Sequence, residues 1–545
     1  MVIYTDDFGF KTGCDCTEEI IKLSEHLSSL QESAEVIFSK GIYYLDSEKC
    51  REIYKAITNT ASPDEYKDKS RINLHKVPFL FENVKNVTFD GCDSTFIIDG
   101  KVTNMIISEC DNLKFCNFTL KTVNPNLHKF TVKKAAPFKT VFSLNKESEY
   151  IKNKSGWSFV GKGYFFGFTE TAKFSSWIIV GYPNNKNAVK RGLHPFRDAL
   201  KIMETARGEF TAYYLLPKKY TVGQSFHIYD CLRSDVGIFI ENSRNITFEN
   251  VTQCFNYSLA FVAQNCDTLS LLKCNFIPDK DSELEIASLA DFMQICMCKG
   301  KITVRDCQFI GAGDDAINVH GMHFKVEKIN NNTLRAVFGH PQTWGFDPFS
   351  DGDEIEFIDP KSLLCVDRAT VISSKLIADN EIEIVIDKDI SSSYENYVIE
   401  DVTKCPELEY TGNTISNIVT RGILYTSRGK CIIRDNRFVN TGMSALLFSD
   451  DAESWFESGM CKDVLIENNI FEETGKNAVL ILPENKIYKG PVHSNVRILN
   501  NEFRRFEGDC IYAKATDSIS ISGNKINGDN KLKLVNCTNV QSDIR

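Results

Sequence analysis

No stretch of the 545 residues approaches the ~20 consecutive apolar positions of a membrane-spanning helix, so no membrane partner is expected. The first residues, Met1 to Asp7, lack a basic region followed by an apolar core. The pattern of an export signal is therefore missing, and a cytoplasmic location is the expectation. Positive charge is also short, with 63 Lys and Arg against 73 Asp and Glu, a net charge of −10. That balance argues against nucleic acid and against polyanionic sugars, and favours a neutral partner. Cysteine is plentiful at nineteen residues, but the close pairs Cys14/Cys16 and Cys296/Cys298 lack the two-residue gap of structural zinc sites. Reduced structural thiols, with no metal and no cofactor, are the reading that fits. A hydrophobic content of 42% and a charged content of 25% leave disorder, collagen and coiled coil without support.

What is present is a repeat. An apolar, any, apolar triplet is followed after two residues by Asn or Cys, then by any residue, then by Phe or Ile. It occurs at Leu269/Leu271/Cys274/Phe276, Ile302/Val304/Cys307/Phe309, Cys431/Ile433/Asn436/Phe438, Val464/Ile466/Asn469/Phe471, Val496/Ile498/Asn501/Phe503 and Ile519/Ile521/Asn524/Ile526. Successive aromatic anchors lie 33 residues apart from 276 to 309 and from 438 to 471, then 32 apart to 503. Short strands with alternating inward side chains, stacked coil on coil, produce such a period, and the Asn and Cys become internal ladders at a turn. The fold class predicted is all-β, a right-handed parallel β-helix. A helix pattern after Thr17, read as its N-cap, with Ile20, Leu23 and Leu27 on one face, suits a cap over the first coil.

Two stretches break the period. The anchors at 309 and 438 are 129 positions apart, and the stretch between them carries hairpin signals, among them Asn330-Asn331-Asn332 and the alternation Ile382, Ile384, Ile386. Residues 125–225 also lose the ladder and hold apolar runs such as Trp177-Ile178-Ile179-Val180. The expected organisation is therefore cap and first coils at 1–124, an inserted antiparallel β-domain at 125–225, coils at 226–320, a second inserted β-domain at 321–408, and coils at 409–545.

Gly313-Asp314-Asp315 directly follows the Phe309 unit, and Asp291 stands 23 residues before Asp314, about one coil. Neighbouring coils are ~4.8 Å apart, so the three carboxyls should share a patch. Crowded carboxyls, one protonated and one ionised, are the equipment for cleaving a glycosidic bond, and a water between them gives inversion. Gly-Asp-Asp is also ordinary turn composition, which leaves a purely structural reading open. His320 is a candidate substrate or carboxylate contact. Trp344 and Trp455 are candidate aromatic platforms, with Glu457, Asp450, Asp451 and Glu453 as acids near Trp455 for hydroxyl recognition.

The run from Asp291 through Gly300-Lys301-Ile302 to Gly313–Gly321 resembles glycoside hydrolase family 110, the α-1,3-galactosidases. So, in the same order, do Thr343-Trp344-Gly345-Phe346, Gly352-Asp353, Arg421-Gly422-Ile423-Leu424 and Trp455-Phe456-Glu457-Ser458-Gly459. The resemblance is strongest from about 230 to 505. It implies a β-helix with two inserted β-barrel domains, metal-independent inversion, and release of galactose from α-galactoside-terminated glycans. By analogy with polygalacturonase-type β-helix enzymes, it makes Asp314 the acid and Asp291 with Asp315 the pair that activates water. Gln294 stands where the family usually has His, which bears on substrate choice more than on the reaction. A polysaccharide lyase and a non-catalytic glycan-binding solenoid remain as alternative readings, and a homo-oligomer is left open.

Overall fold

The computed structural model describes the chain except residues 31, 62–72, 155, 169–177, 183–187, 231–232, 391, 530 and 545. Its body is a right-handed parallel β-helix. One wall passes in order through Phe79–Glu82, Met105–Ser108, Ile238–Glu241, Phe261–Gln264, Met293–Cys296, the start of Ile317–Lys328, and Ile423–Thr426. It continues through Leu446–Phe448, Val479–Ile481 and Ile511–Lys514 to Leu532–Val535, each strand parallel to the next. The other walls carry the repeat itself, for example Lys430–Arg434 on Asp463–Glu467 and Arg437–Thr441 on Ile470–Lys476.

The anchors stack as the spacing predicts. Phe276 lies on Phe309 at 5.2 Å and 6°, Phe438 on Phe471 at 5.1 Å and 10°, and Phe471 on Phe503 at 4.8 Å and 8°. Ile415 fills the same rung between Phe309 and Phe438. Each buried Phe contributes roughly 1.5–3 kcal/mol of transfer free energy. Beside this stack runs a polar ladder. Asn413, Asn436, Asn469, Asn501 and Asn524 each accept, at 2.8–2.9 Å, the backbone N–H of the ladder residue one coil earlier. Each also donates Nδ2 to a carbonyl of that coil, at 2.7–3.0 Å. Cys274 and Cys307 occupy the same rungs in the earlier coils, the Cys274 N–H meeting Cys307 Sγ at 3.3 Å. The residue before each rung has positive φ, which is why Asp306, Gly412, Asp435, Asn468, Asn500 and Gly523 recur there.

The N-terminal helix, Thr17–Ser29, buries Ile20, Leu23 and Leu27 over the first coil. Thr17 is not its N-cap. Cys16 takes that place, while Asp15 accepts the Thr17 N–H at 3.1 Å and the Thr17 hydroxyl receives the Asp46 N–H at 2.7 Å.

The first insertion runs from Leu127 to Tyr229, slightly beyond the 225 expected. Its described strands form a seven-stranded antiparallel sheet and a three-stranded one over a shared aromatic core that includes Phe130, Phe159 and Phe210. Trp177 lies outside the described residues. The second insertion is a six-stranded antiparallel ring closed by Ile317–Lys328, Thr333–Phe338, Glu381–Ile386, Leu364–Ala378, Glu354–Asp359 and Val398–Asp401. Ile317–Lys328 belongs to both bodies. Its first four residues pair within the β-helix wall and the later ones within the barrel, so barrel and coil share one rigid strand.

The ladder predicts a measurable cost. Asn436→Ala removes an acceptor from the Asn413 N–H and a donor from the Tyr410 carbonyl, both deep in the coil. With about 1–3 kcal/mol for each orphaned group, urea unfolding is expected to show a loss of at least ~2 kcal/mol. An unchanged midpoint would remove the ladder from the account of stability. The eighteen described cysteines are free thiols, most of them buried in coil positions. Thiol titration of unfolded, unreduced protein is expected to return close to the nineteen of the sequence.

Candidate active site

The register of the coils assembles the site. Met293 pairs with Ile317, so Asp291 and Asp315 occupy equivalent places just before adjacent strands. The Asp315 N–H donates to Asp291 Oδ1 at 3.1 Å. Ile317 pairs in turn with Ile423, which sets Thr420 and Arg421 on Asp314 and Asp315 in the next coil. The glycine of Gly313-Asp314-Asp315 is forced by packing, since a Cβ there would stand 2.3 Å from the Leu289 carbonyl oxygen.

Three arginines face the three aspartates. Arg421 donates from Nε to Asp315 Oδ1 at 2.9 Å, and its Nη2 lies 2.8 Å from Oδ2. Arg233 and Arg191 both reach Asp314 Oδ2, at 2.6 and 2.9 Å. The Thr420 hydroxyl lies between the pair, 2.5 Å from Asp315 Oδ1 and 3.0 Å from Asp314 Oδ1. Burial would raise the Asp314 carboxyl, but the charges of Arg233, Arg191 and Arg421 outweigh it and hold the group below its ordinary value. Asp291 goes the other way. Burial first, then the charges of Asp314 and Asp315, push it well above the carboxylate range. Burial thus favours the protonated form of Asp291, and the arginines favour the ionised form of Asp314.

These groups line one end of a cavity of about 90 Å³. The other end is built by Asn318, Asp451, Trp455, Glu457 and Glu484. Asn318 Nδ2 donates to Glu457 Oε1 at 3.0 Å, while Asn318 Oδ1 is buried with no hydrogen-bond partner. Trp455 is 47% exposed and stacks on His340 at 4.1 Å and 22°. Asp451 holds it in place by accepting the N–H groups of Glu453, Ser454 and Trp455 at 2.8, 3.0 and 2.5 Å. A larger cavity, about 250 Å³, lies between Thr122–Pro125 and Asp279–Ile286 and contains none of the three aspartates.

Of the residues singled out in the sequence, Asp291, Asp314, Asp315, Trp455 and Glu457 share the cavity. His320 sits behind it, in a smaller adjoining space. Its Nδ1 bonds the Gly321 carbonyl at 2.8 Å and its Nε2 lies 2.6 Å from Gln294 Nε2. With Nδ1–H committed to that carbonyl, Nε2 is the acceptor and Gln294 the donor. Trp344 does not line the cavity. It is 4% exposed and packed on Ala56 beneath the loop whose Gln342 carbonyl accepts the Asn59 N–H. Asn59 and Arg233 complete the wall, joined at 3.0 Å. Thr420, Arg191, Arg233, Asn59 and Asn318 were not picked out as site residues. Thr420-Arg421 precedes its strand by the same offset as Asp314-Asp315, so an alignment of coils would have found it. Arg191 comes from the first insertion and Arg233 follows it, where no period leads.

The comparisons with known proteins agree with this geometry. A family model described as GLAA-B beta-barrel domain II matches residues 333–396, within the closed barrel. A right handed beta helix region matches residues 398–542. "Alpha-1,3-galactosidase A" of Bacteroides thetaiotaomicron is 32% identical, over 90% of this chain and 85% of the relative. The protein of that name from Streptomyces avermitilis is 27% identical, over 96% and 87%. "Alpha-1,3-galactosidase B" of Phocaeicola vulgatus is 27% identical, over 83% and 80%. Catalytic-type acids on a shared coil register, an inserted barrel of the matching kind, and 32% identity across most of both chains make one case: this chain belongs to the α-1,3-galactosidases of glycoside hydrolase family 110.

Proposed function

We propose that the protein is an exo-acting, inverting glycoside hydrolase that releases terminal α-1,3-linked galactose from glycans. The observation that carries this is the trio Asp291, Asp314 and Asp315, the first and last buried and Asp314 part-exposed, at one end of a short cavity whose other end offers Trp455. A short cavity suits a single terminal sugar. Neither inner carboxyl is presented as a bare nucleophile, because Arg421 holds both oxygens of Asp315 and the Asp315 N–H holds Asp291 Oδ1. Such carboxylates are better placed to hold a water than to attack carbon, which favours single displacement. The names borne by the relatives supply the sugar and the linkage.

Asp314 is the donor in this reading. Its side chain is 14% exposed against 2% for Asp315, so a leaving oxygen can reach it. The hydroxyl of Thr420 has one proton, and its shorter contact is with Asp315. The contact with Asp314 Oδ1 becomes a hydrogen bond when Asp314 is protonated and donates to Thr420. Passing the cluster's proton from Asp291 to Asp314 therefore completes the chain Asp314–Thr420–Asp315 and frees Asp291 as a base. In the reaction, Asp314 protonates the leaving oxygen as the C–O bond breaks, and water adds to the anomeric carbon while giving its proton to the Asp291–Asp315 side. A uronate substrate, as a lyase requires, would bring a carboxylate towards Asp451, Glu457 and Glu484.

Asp314→Asn is expected to slow hydrolysis of Gal-α-1,3-Gal by roughly 10²–10⁴-fold, the usual share of general acid catalysis. The loss should be small on a dinitrophenyl α-galactoside, whose leaving group needs little protonation. Asp291→Asn and Asp315→Asn should slow both substrates. If Asp291→Asn shows the leaving-group dependence instead, Asp291 is the donor. Proton NMR of the first-formed sugar should show β-galactose, and α-galactose would end the inverting reading. At the far wall, Trp455→Ala should raise KM about tenfold, as loss of one sugar–ring stack implies. Asp451→Ala should reproduce that effect by loosening the loop, and an unchanged KM would take Asp451 out of the site.

A further inference from the structure

A part of the chain that shows no coil repeat also reaches the aspartates. Residues 56–61, after the strand Arg51–Tyr54, are all buried, and Ile57 joins a cluster with Ile106, Phe239 and Val262 of the wall. Gln264 grips the segment with both ends of its amide, Oε1 accepting the Thr58 N–H at 3.0 Å and Nε2 donating to the Ala56 carbonyl at 3.3 Å. The Asn59 N–H donates to the Gln342 carbonyl of the barrel loop at 2.8 Å, and the Ala61 N–H to the Arg233 carbonyl at 2.7 Å. The backbone around Asn59 is thus tied to the coil, to the barrel and to the exit of the first insertion. Asn59 itself has φ 59, a left-handed conformation that asparagine and glycine adopt at little cost. It is 7% exposed and lines the cavity of the three aspartates.

Donor and acceptor chemistry fixes what its side chain does. A guanidinium has donors only, so the amide oxygen of Asn59 is the atom that meets Arg233 Nη1 at 3.0 Å. Through Nη2 the same guanidinium meets Asp314 Oδ2 at 2.6 Å. The group is planar and rigid, so holding one nitrogen aims the other. An oxygen that accepts from guanidinium groups is not the one that carries a carboxylic proton. That proton belongs on Asp314 Oδ1, which stands 3.0 Å from the Thr420 hydroxyl. We propose that Asn59 is a positioning residue of the reaction: by holding Arg233 Nη1 it aims the guanidinium at Asp314 Oδ2 and so keeps the proton that Asp314 donates on Oδ1. This rests on the reading of Asp314 as the donor. The proton passes from Oδ1 to the leaving oxygen as the C–O bond breaks, and Arg233 faces the carboxylate that remains; Asn59 neither gains nor loses a proton. The barrel loop takes part as well, since its Gln342 carbonyl holds Asn59 while its His340 backs Trp455 at 4.1 Å.

Asn59→Gly removes the amide and leaves the left-handed turn unstrained. On Gal-α-1,3-Gal its kcat should fall about tenfold, as the loss of one hydrogen bond to a charged group implies. On a dinitrophenyl α-galactoside, whose leaving group needs little protonation, kcat should change less than about twofold. KM should move little on either substrate. Asn59→Asp, which keeps an oxygen at that place and tolerates the same backbone, should restore most of the rate on the disaccharide. In Arg233→Met protein, Asn59→Gly should cost nothing further, because the group it aims is gone. Unchanged rates in folded Asn59→Gly overturn the proposal. So do equal falls in kcat on both substrates, a rise in KM alone, an Asn59→Asp as slow as Asn59→Gly, or additive losses in the double variant. If Asn59→Gly does not fold, Arg233→Lys, which keeps the cation but not the planar fork, decides by the same comparison of substrates. Failure of the donor reading looks different: Asp314→Asn would then slow both substrates alike, whereas failure of this inference alone leaves the difference between substrates in Asp314→Asn and removes it from Asn59→Gly.

Discussion

The register between neighbouring coils is the constraint on which the site depends. Asp291, Asp315 and Arg421 share no local sequence context, yet they stack because Met293, Ile317 and Ile423 stack. A slip of one residue would turn every inward side chain outward and send Asp315 away from Asp291. What prevents slipping is paired: the inward stack, ring on ring from Phe276 to Phe309 and from Phe438 through Phe471 to Phe503 with Ile415 between, and the directional bonds of the asparagine ladder. The rings contribute burial but tolerate sliding. The amide bonds, 2.7–3.0 Å long and each specific to one backbone group, do not.

The insertions would disturb this register unless their attachment were rigid, and the strand Ile423–Thr426 shows how it is managed. Arg421 precedes it and holds Asp315, while Arg428 follows it and binds the barrel. The Arg428 guanidinium meets Glu400 at 3.1 Å through Nε and Glu356 at 2.7 Å through Nη2, both acids being almost fully buried. Nearby, His323 Nε2 lies 2.9 Å from Asp450, again between barrel and coil. Breaking such a buried pair by removing one partner is costly, so the barrel is fixed in orientation as well as position. Its loop then delivers His340 to the back of Trp455, which Asp451 holds from the coil side.

The repeat was legible because the same offset recurs with the same chemistry, and chemistry in this fold is set by position within the coil. The switch from cysteine to asparagine falls across the second insertion, between Cys307 and Asn413, without hiding the rung. The aspartates were legible for the same reason, one coil apart. What spacing could not reveal came from outside the period. Arg191 and Arg233 reach Asp314 over 123 and 81 residues, and Thr420 over 106, separations that no single coil period gives. Trp344 was misleading in a different way. A tryptophan beside Gly345 reads as a platform, but the close approach of that glycine to Ala56 shows a tight packing corner, which supports Asn59 through the Gln342 carbonyl. Thr17 gave way as a cap because its hydroxyl serves the Asp46 N–H of a neighbouring strand.

The distribution of donors and acceptors limits what the cavity can recognise. At the aspartate end, Arg191, Arg233 and Arg421 are each paired with an aspartate, so little positive charge is left to attract an anion. At the other end, Asn318 Oδ1 is an acceptor without a partner, beside the carboxylates of Glu457 and Asp451, and the exposed face of Trp455 is apolar. A ligand that satisfies both ends must therefore bring hydroxyl donors, one apolar face, and no negative charge. An uncharged hexose meets those demands. A uronate would place its charge where Glu484 is already driven above its ordinary value by burial and by Asp451. The deficit of positive charge in the whole chain and the acceptor-rich wall of the cavity are thus two expressions of one preference, at the scale of the molecule and of the site.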